Sequence, residues 1–300
     1  GTGMVGQNIL ENNQSKDYLF FAPGRNEMDL LDIASIEKTI KEINPDLIIH
    51  TAAKVGGIMA NIKDPLGFFE QNCFMGLNLI KASYENNVNK LLNFGSSCMY
   101  PFEAENPLNE KDILNGHLEP TNEGYALSKI ISYKYCKYLN SIEGFSYKTI
   151  VPCNLYGKYD DFDLKSSHLI PAIIKKIHDA KVNKKKEVEI WGDGKARREF
   201  MSASELSDFV FYALKNFQKL PEVLNVGTGK DHTVEDYYFE VAKVIGYKGN
   251  FIYDLSKPKG MKQKKVDINS LKKFGWSSKL NLNEGIIEAY DFFLKSNNEI

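Results

Sequence analysis

The chain has 300 residues, of which 43% are hydrophobic and 26% are charged, and its formal net charge is −1 at pH 7. These values are typical of a globular protein with a full core and no overall field for nucleic acid. The sequence contains no membrane-length apolar run and no signal peptide. Four cysteines lie without metal or disulfide spacing. We therefore expect a cytoplasmic protein that holds no metal and binds neither nucleic acid nor membrane.

The first residues form a glycine-rich turn before an apolar helix. Gly1, Gly3 and Gly6, with Met4 and Val5 between the last two, match the pattern G-x-G-x-x-G. Glycine permits the tight turn, and the helix N-terminus offers backbone amides to a pyrophosphate. Because this turn normally follows a strand, we expect the first strand of the sheet upstream of residue 1. A plain glycine turn before a helix is the alternative.

Residues 17–22 have the composition of a second strand, which leads into a loop that contains Arg25. At this strand end an NAD enzyme usually places Asp or Glu on the ribose, whereas an arginine accommodates the 2′-phosphate of NADP. Arg25 therefore predicts NADP(H). A solvated loop arginine is the alternative.

Strand and helix patterns then alternate. Helical spacing covers 35–43 and 65–87, whereas 46–50 and 90–94 have strand composition. His50 falls in a buried strand pattern and is expected in the core. This alternation predicts an α/β protein with a doubly wound parallel sheet of the Rossmann type and ligands at the carboxyl ends of its strands.

The next long helix, expected to end near Gly144, carries Tyr125 and Lys129 on one face, one turn apart. We expect the ammonium to lower the pKa of the phenol from about 10 towards neutrality. A hydroxyl from the 95–97 turn would share the carbonyl oxygen that Tyr125 protonates, which suits hydride addition to a ketone. An exposed helical pair is the alternative.

Beyond residue 160 the alternation is less regular. Residues 147–151, 187–191 and 223–227 read as strands, 192–200 as a loop, and 205–217 as a helix. A lysine-dense loop covers 257–265. We predict an NADP-binding domain of residues 1–160 plus 198–227, and a smaller α+β substrate domain of residues 161–197 plus 228–300.

Together these residues resemble the extended short-chain dehydrogenase/reductases, and within them the GDP-L-fucose synthase subgroup, over nearly the whole chain. The stretches Ala-Ala-Lys-Val-Gly-Gly and Ser-Ser-Cys-x-Tyr-Pro are specific to the subgroup, whereas Tyr-x-x-x-Lys alone is not. The resemblance rests on the glycine turn, Arg25, and residues 52–58, 95–101, 118–125, 154–157, 167–171, 191 and 198–200.

The resemblance implies a homodimer, formed through helices 65–87 and 122–144, that uses NADPH on a GDP-linked 4-keto-6-deoxy sugar. It would epimerise C3 and C5 and then reduce C4. Tyr125, Lys129 and Ser96 would serve the carbonyl, with Cys98 as base and His168 as acid. Read without the family, Cys98 would be a small buried hydrophobe and His168 a helix-start residue.

The same resemblance assigns binding residues. The NADP(H) set comprises Gly1, Gly3, Met4, Val5, Gly6, Arg25, Ala52, Ala53, Lys54, Tyr125, Lys129, Pro152, Asn154, Leu155 and His168. The substrate set comprises Ser97, Asn154, Lys176, Trp191, Arg198 and Lys264. The cations among them suit a diphosphate in an otherwise neutral chain.

Departures from the subgroup pattern leave the sugar open. They lie at residues 62–64, 158–160 and 201–205, and at Gly124, where the subgroup often has proline. A C4 reductase without epimerase activity on a GDP-heptose is compatible with the same motifs. Two further alternatives are an NAD-retaining nucleotide-sugar 4-epimerase or dehydratase, and a non-catalytic nucleotide-binding module.

Overall fold

The computed structural model describes residues 1–256 and 261–297, so residues 257–260 of the lysine-dense loop and 298–300 of the predicted substrate domain lie outside the described residues. Its α-helices are α1 (Met4–Glu11), α2 (Ile33–Ile43), α3 (Ile58–Lys63), α4 (Pro65–Glu85), α5 (Glu123–Leu139), α6 (Leu169–Val182), α7 (Ala203–Lys215), α8 (Val234–Ile245), α9 (Asn269–Phe274) and α10 (Leu282–Ser296). Its strands are β1 (Ile48–His50), β2 (Lys90–Phe94), β3 (Ser146–Pro152), β4 (Asn154–Tyr156), β5 (Glu187–Trp191), β6 (Arg197–Arg198), β7 (Phe200–Ser202), β8 (Val223–Val226), β9 (His232–Thr233), β10 (Asn250–Asp254) and β11 (Gln263–Lys264).

The main sheet has the strand order β1-β2-β3-β8, and all its neighbouring pairs are parallel. Adjacent residues of β2 point to opposite faces: Leu91 packs with Ile80 of α4 and Leu139 of α5, whereas Leu92 joins a core that includes Val210 of α7. Helices therefore cover both faces of the sheet. The predicted doubly wound parallel fold is confirmed.

A second core lies beside the first and is built from α6, α8, α10 and the parallel pair β5-β10. Smaller pairings connect the two regions, since β4 pairs with β7 and β6 lies between β11 and β9. Val266, Leu271 and Trp276 belong to the first core although their stretch was placed in the substrate domain. The exact domain division stays a prediction.

Residues 17–22 differ from the predicted second strand, because none of them pairs with another strand in the described chain. Tyr18 and Phe20 pack against Phe211, while Leu19 and Phe21 are 85% and 57% exposed. The side chains thus alternate as they do in a strand. A strand also needs hydrogen bonds to a neighbour, and no described strand reaches this segment.

Other boundaries also differ from prediction. Helix α5 ends at Leu139 rather than near Gly144, because the Asn140 amide accepts a hydrogen bond from the Tyr147 backbone N–H at 2.6 Å and donates one to its carbonyl at 2.8 Å. The predicted loop 192–200 contains the short strand β6 and the start of β7, and the described part of the predicted loop 257–265 contains β11. His50 is buried at the end of β1, as expected, and burial lowers its pKa to about 3.

Within residues 1–256 and 261–297, none of the helices combines the length and the hydrophobicity that crossing a bilayer requires.

Candidate active site

A cleft of about 1600 Å³ extends from residues 44–46 along β1 to the edge formed by the carboxyl ends of β1, β2 and β3. Ligands of open parallel sheets bind at this edge. All residues predicted from the sequence to bind cofactor or substrate, or to act in catalysis, line this cleft. The fold thus brings together side chains from both ends of the chain, while their individual roles stay predictions.

The glycine turn is packed tightly except on the side of the cleft. A Cβ on Gly1 would lie 2.4 Å from Ala22 Cβ, and one on Gly6 would lie 2.6 Å from the Gly1 carbonyl oxygen, whereas one on Gly3 would meet nothing within 4 Å. Gly3 is the N-cap of α1 and has no side chain to cap the first-turn amides. Open space before uncapped amides at a helix N-terminus suits an anionic phosphate.

Arg25 lies at the rim of the same end of the cleft. Its side chain is 73% exposed, and its Nε lies 3.9 Å from Asp29 Oδ2. Exposed ion pairs of this kind contribute little free energy. The guanidinium can therefore exchange the carboxylate for a ligand phosphate at small cost.

The loop after β1 is held by a buried amide. Asn72 Oδ1 accepts a hydrogen bond from the Lys54 backbone N–H at 2.8 Å, and its Nδ2 donates to the Lys54 carbonyl at 3.0 Å. The Lys54 ammonium binds Asp64 Oδ2 at 2.6 Å, which holds the pKa of Asp64 below its usual value. Ala52 and Ala53 leave the backbone open to the cleft beside this anchored lysine.

Tyr125 and Lys129 both lie in the cleft wall on α5, where Lys129 is buried and Tyr125 is half-buried. Lys129 Nζ lies 5.8 Å from the Tyr125 ring centroid and donates to the Phe94 carbonyl at 3.0 Å. Burial lowers the pKa of Lys129 to about 8. Burial, and then the charge of an ionised Cys98, raise the pKa of Tyr125, while a hydrogen bond with the Ser96 side chain acts in the opposite direction.

The sequence-based expectation that Lys129 brings the pKa of Tyr125 down towards neutrality is therefore wrong for this structure. Desolvation disfavours the phenolate more than the neighbouring groups favour it, and the ammonium is directed at a backbone carbonyl. At neutral pH the phenol keeps its proton, which is the form that a proton donor needs.

Cys98 lies in a short 3-10 turn, Ser97–Met99, that follows β2. The Ser96 hydroxyl accepts a hydrogen bond from the Cys98 backbone N–H at 3.2 Å. The half-buried thiol meets two donors, Asn122 Nδ2 at 3.4 Å and Lys264 Nζ at 3.5 Å. Lys264 was predicted as a substrate contact, and the structure places its ammonium against this sulfur.

His168 is the N-cap residue of α6 and lines the cleft. Burial lowers the pKa of its imidazole, and the nearby charge of Asp161 acts against that shift. The neighbouring Ser167 hydroxyl is buried and has no hydrogen-bond partner among the described residues. Polar atoms of this kind beside a cleft are available to a ligand.

The far end of the cleft carries an aromatic ring and cations. Lys176 Nζ lies 5.0 Å from the ring centroid of Trp191, whose Nε1 donates to Glu189 Oε1 at 2.8 Å. Arg198 Nη1 donates to the Arg197 carbonyl at 2.7 Å, and burial lowers the pKa of Arg198. Trp191 is 44% exposed and can stack on a flat ligand.

Three residues near the site were not assigned a role from the sequence. Asn122 lies three positions before Tyr125 in a quoted motif, Glu199 lies inside another, and Asp160 stands where the chain departs from the subgroup. Proximity to Tyr125 was the signal that could have found Asn122. The contacts of Glu199 with residues far along the chain leave no comparable sequence signal.

The fold and the cleft define a nucleotide-dependent enzyme of the Rossmann type, and the chain belongs to the NAD dependent epimerase/dehydratase family, which matches residues 1–227. A GDP-L-colitose synthase of Yersinia pseudotuberculosis is 54% identical over 297 residues, which cover 99% of this chain and 96% of that protein. A GDP-L-fucose synthase of Azorhizobium caulinodans is 44% identical over 297 residues, or 99% and 95% of the two chains.

Among solved structures, the GDP-mannoheptose C4 reductase MlghC of Campylobacter jejuni, with NADP bound, is similar with a TM-score of 0.86 and 29% sequence identity. The similarity covers 97% of this chain and 95% of that chain. The family resemblance predicted from the sequence motifs is thereby confirmed.

Proposed function

We propose that this protein reduces the C4 ketone of a GDP-linked 4-keto-6-deoxy sugar with NADPH, after inverting carbon centres next to that ketone. The observation that carries the proposal is that Ser96, through a hydrogen bond, and Cys98, through its charge, both act on the Tyr125 phenol at the carboxyl edge of the sheet. The names of the two relatives, and the C4 reductase among the solved structures, support a GDP-sugar as substrate.

NADPH, when bound, supplies the hydride. The glycine turn would hold its pyrophosphate, because Gly3 leaves space before the amides of α1. Arg25 would contact the 2′-phosphate, since its side chain is exposed at that end of the cleft. The NADP bound to the Campylobacter jejuni reductase supports this choice of cofactor.

One electrophilic site can assist every step of the reaction. C3 and C5 are both next to the C4 ketone, so removal of a proton from either carbon places charge on the C4 oxygen. Tyr125 and Ser96 would donate hydrogen bonds to that oxygen, and Tyr125 would give it a proton during reduction. Cys98 would remove the carbon-bound proton, and His168 would return one on the opposite face.

Binding of the GDP part would rest on local cations, because the chain as a whole is close to neutral with a formal charge of −1. Lys176 and Arg198 would contact the diphosphate, and Trp191 would cover the ligand. Lys264 would lie between this region and the reacting carbons, since its ammonium touches Cys98.

The names of the relatives give different sugars, and these sugars are the alternative substrates for this protein. Colitose is a 3,6-dideoxyhexose, so a product of that type would have a stereocentre to invert at C5 and none at C3. The 54% identity to the GDP-L-colitose synthase favours a hexose of this type as a second candidate. The similarity to the heptose C4 reductase supports a third candidate function, which is C4 reduction without epimerisation.

We also propose a cytoplasmic homodimer formed through α4 and α5. Large apolar side chains are exposed on these helices, with Leu66 at 64%, Phe74 at 54% and Tyr138 at 68%. Their burial against a second copy would remove apolar area from water. Light scattering that gives the mass of a single chain would contradict the dimer.

The function is tested by incubating the protein with NADPH in deuterated water. The substrates are GDP-4-keto-6-deoxymannose, its 3-deoxy analogue and a GDP-4-keto-6-deoxy-heptose. We expect stoichiometric NADPH oxidation with at least one of them, and NMR locates deuterium and product stereochemistry. Oxidation without deuterium next to the ketone would identify a plain C4 reductase. Turnover with no NADPH consumed would indicate the NAD-retaining epimerase.

A further inference from the structure

We propose that Lys264 is a positioning residue that holds the Cys98 sulfur as a thiolate, and that Glu199 fixes the strand from which Lys264 reaches it. In this proposal Lys264 acts on the Cys98 sulfur, in addition to any contact that it makes with a ligand. Its catalytic consequence rests on the proposed function, whereas the state of the thiol can be measured without any sugar.

The first support is the environment of the lysine itself. Lys264 is 8% exposed, and its Nζ lies 3.5 Å from Cys98 Sγ. Among residues 1–256 and 261–297, no carboxylate lies within ion-pair distance of this ammonium. A buried cation is costly unless an anion or several acceptors face it. An ionised Cys98 supplies that anion.

The second support is the set of groups around the sulfur. Asn122 Nδ2 donates to Cys98 Sγ at 3.4 Å, so two donors converge on one atom. A thiolate only accepts hydrogen bonds, so both contacts favour it over the thiol. Arg198 also interacts electrostatically with Cys98 and favours its charge. Two acidic groups share the site: Tyr125, which interacts with Cys98, and the buried Glu119, which interacts with Arg198.

The third support is the way in which Lys264 is held. Strand β11 pairs with β6, and Lys264 stands opposite Arg198. The fully buried carboxylate of Glu199 accepts hydrogen bonds from the Val266 N–H at 2.8 Å and from the Gly229 N–H at 2.7 Å. Glu199 also donates its own N–H to the Lys264 carbonyl at 3.1 Å. One side chain thus ties β11 to β6 and to the loop after β8.

In the proposed reaction the thiolate removes a proton from a carbon next to the ketone. The S–H bond forms as the C–H bond breaks, and the electron pair moves to the C4 oxygen. The electron pair then returns from the C4 oxygen to the carbon, which takes the replacing proton from His168 on its opposite face, and His168 regains a proton from water. Lys264 keeps its own proton throughout. The Cys98 thiol formed in this step later loses its proton to water, and the positive charge of Lys264 favours the thiolate that results.

The experiment follows alkylation of Cys98 by iodoacetamide across a range of pH, with the modified peptide quantified by mass spectrometry. Cys98 is half-buried and the other three cysteines are buried, and Cys98→Ser identifies any signal from elsewhere. Lys264→Met should move the alkylation profile to higher pH by about one to three pH units, the usual effect of removing an opposite charge at this distance. Lys264→Arg should restore most of the wild-type profile.

Lys262→Met is the matched control, because Lys262 is an exposed lysine of the same segment. It should leave the profile unchanged. Glu199→Gln provides a second test if Lys264→Met fails to fold. The side-chain NH₂ of the glutamine cannot accept a hydrogen bond, so one of the two backbone N–H donors would lose its partner. It should move the profile in the same direction by a smaller amount. A wild-type profile in either folded variant would overturn the proposal.

Failure of this inference is distinguishable from failure of the proposed function. If none of the GDP-sugars is turned over, the proposed function fails while the alkylation comparison still decides the state of Cys98. If the sugar is turned over and Lys264→Met keeps wild-type alkylation and wild-type deuterium incorporation, only the role of Lys264 fails.

Discussion

Replacing Asp160 with asparagine should make the protein more stable at alkaline pH. Asp160 lines the cleft, its Oδ1 accepts the Asp161 N–H at 2.8 Å, and its buried Oδ2 has no hydrogen-bond partner among the described residues. Burial raises the pKa of Asp160 from 3.8 to about 7. The carboxylate is therefore costly in the folded state, where it is poorly solvated and half satisfied.

The sign and size follow from proton linkage. Between pH 3.8 and about 7 the folded protein binds more protons at Asp160 than the unfolded chain does, so this residue lowers stability as pH rises through that window. A difference of about three pH units corresponds to about 4 kcal/mol, of which about 2–3 kcal/mol falls between pH 5 and pH 8. The buried amide N–H₂ of the asparagine costs about 1–3 kcal/mol at every pH.

The assay is urea unfolding of wild type and Asp160→Asn at pH 5 and pH 8, followed by tryptophan fluorescence. The free energy of unfolding of the variant, relative to wild type, should rise by about 2–3 kcal/mol between the two conditions. Asp163→Asn, at an exposed carboxylate nearby, is the control for removal of a charge that is not buried. A difference for Asp160→Asn that does not change between pH 5 and pH 8 would refute the assignment of a carboxylate with a buried, unsatisfied oxygen.

Three further predictions concern the reaction. Tyr125→Phe should abolish NADPH oxidation while NADPH fluorescence titration gives a nearly unchanged Kd, because only the proton donor is lost; wild-type turnover would remove Tyr125 from that role. Cys98→Ser should stop deuterium uptake next to the ketone but leave reduction of an already epimerised substrate, and unchanged uptake would exclude Cys98 as base. Arg25→Met should weaken NADPH binding about tenfold, which corresponds to about 1.4 kcal/mol, with little effect on NADH; equal loss for both cofactors would argue against a 2′-phosphate contact.

Much of the architecture could be predicted because it depends on local patterns. Strands 90–94 and 187–191 were recognised at their observed bounds, since each is a short segment of strand composition that the sheet buries. The cleft could also be located, because ligand residues of a parallel sheet collect at its carboxyl edge wherever they lie in the chain. Sequence motifs such as residues 95–101 then identified the family.

Other features arise only when distant residues meet. Lys264 contacts a sulfur 166 positions away, and no periodicity indicates such a contact. The direction of the pKa shift at Tyr125 was mispredicted because spacing on a helix reveals a neighbouring charge but not the loss of solvent around both groups. Local sequence determined which elements form and which edge carries the site, whereas the tertiary structure decided the charge state of its residues, because desolvation is set by everything packed around them.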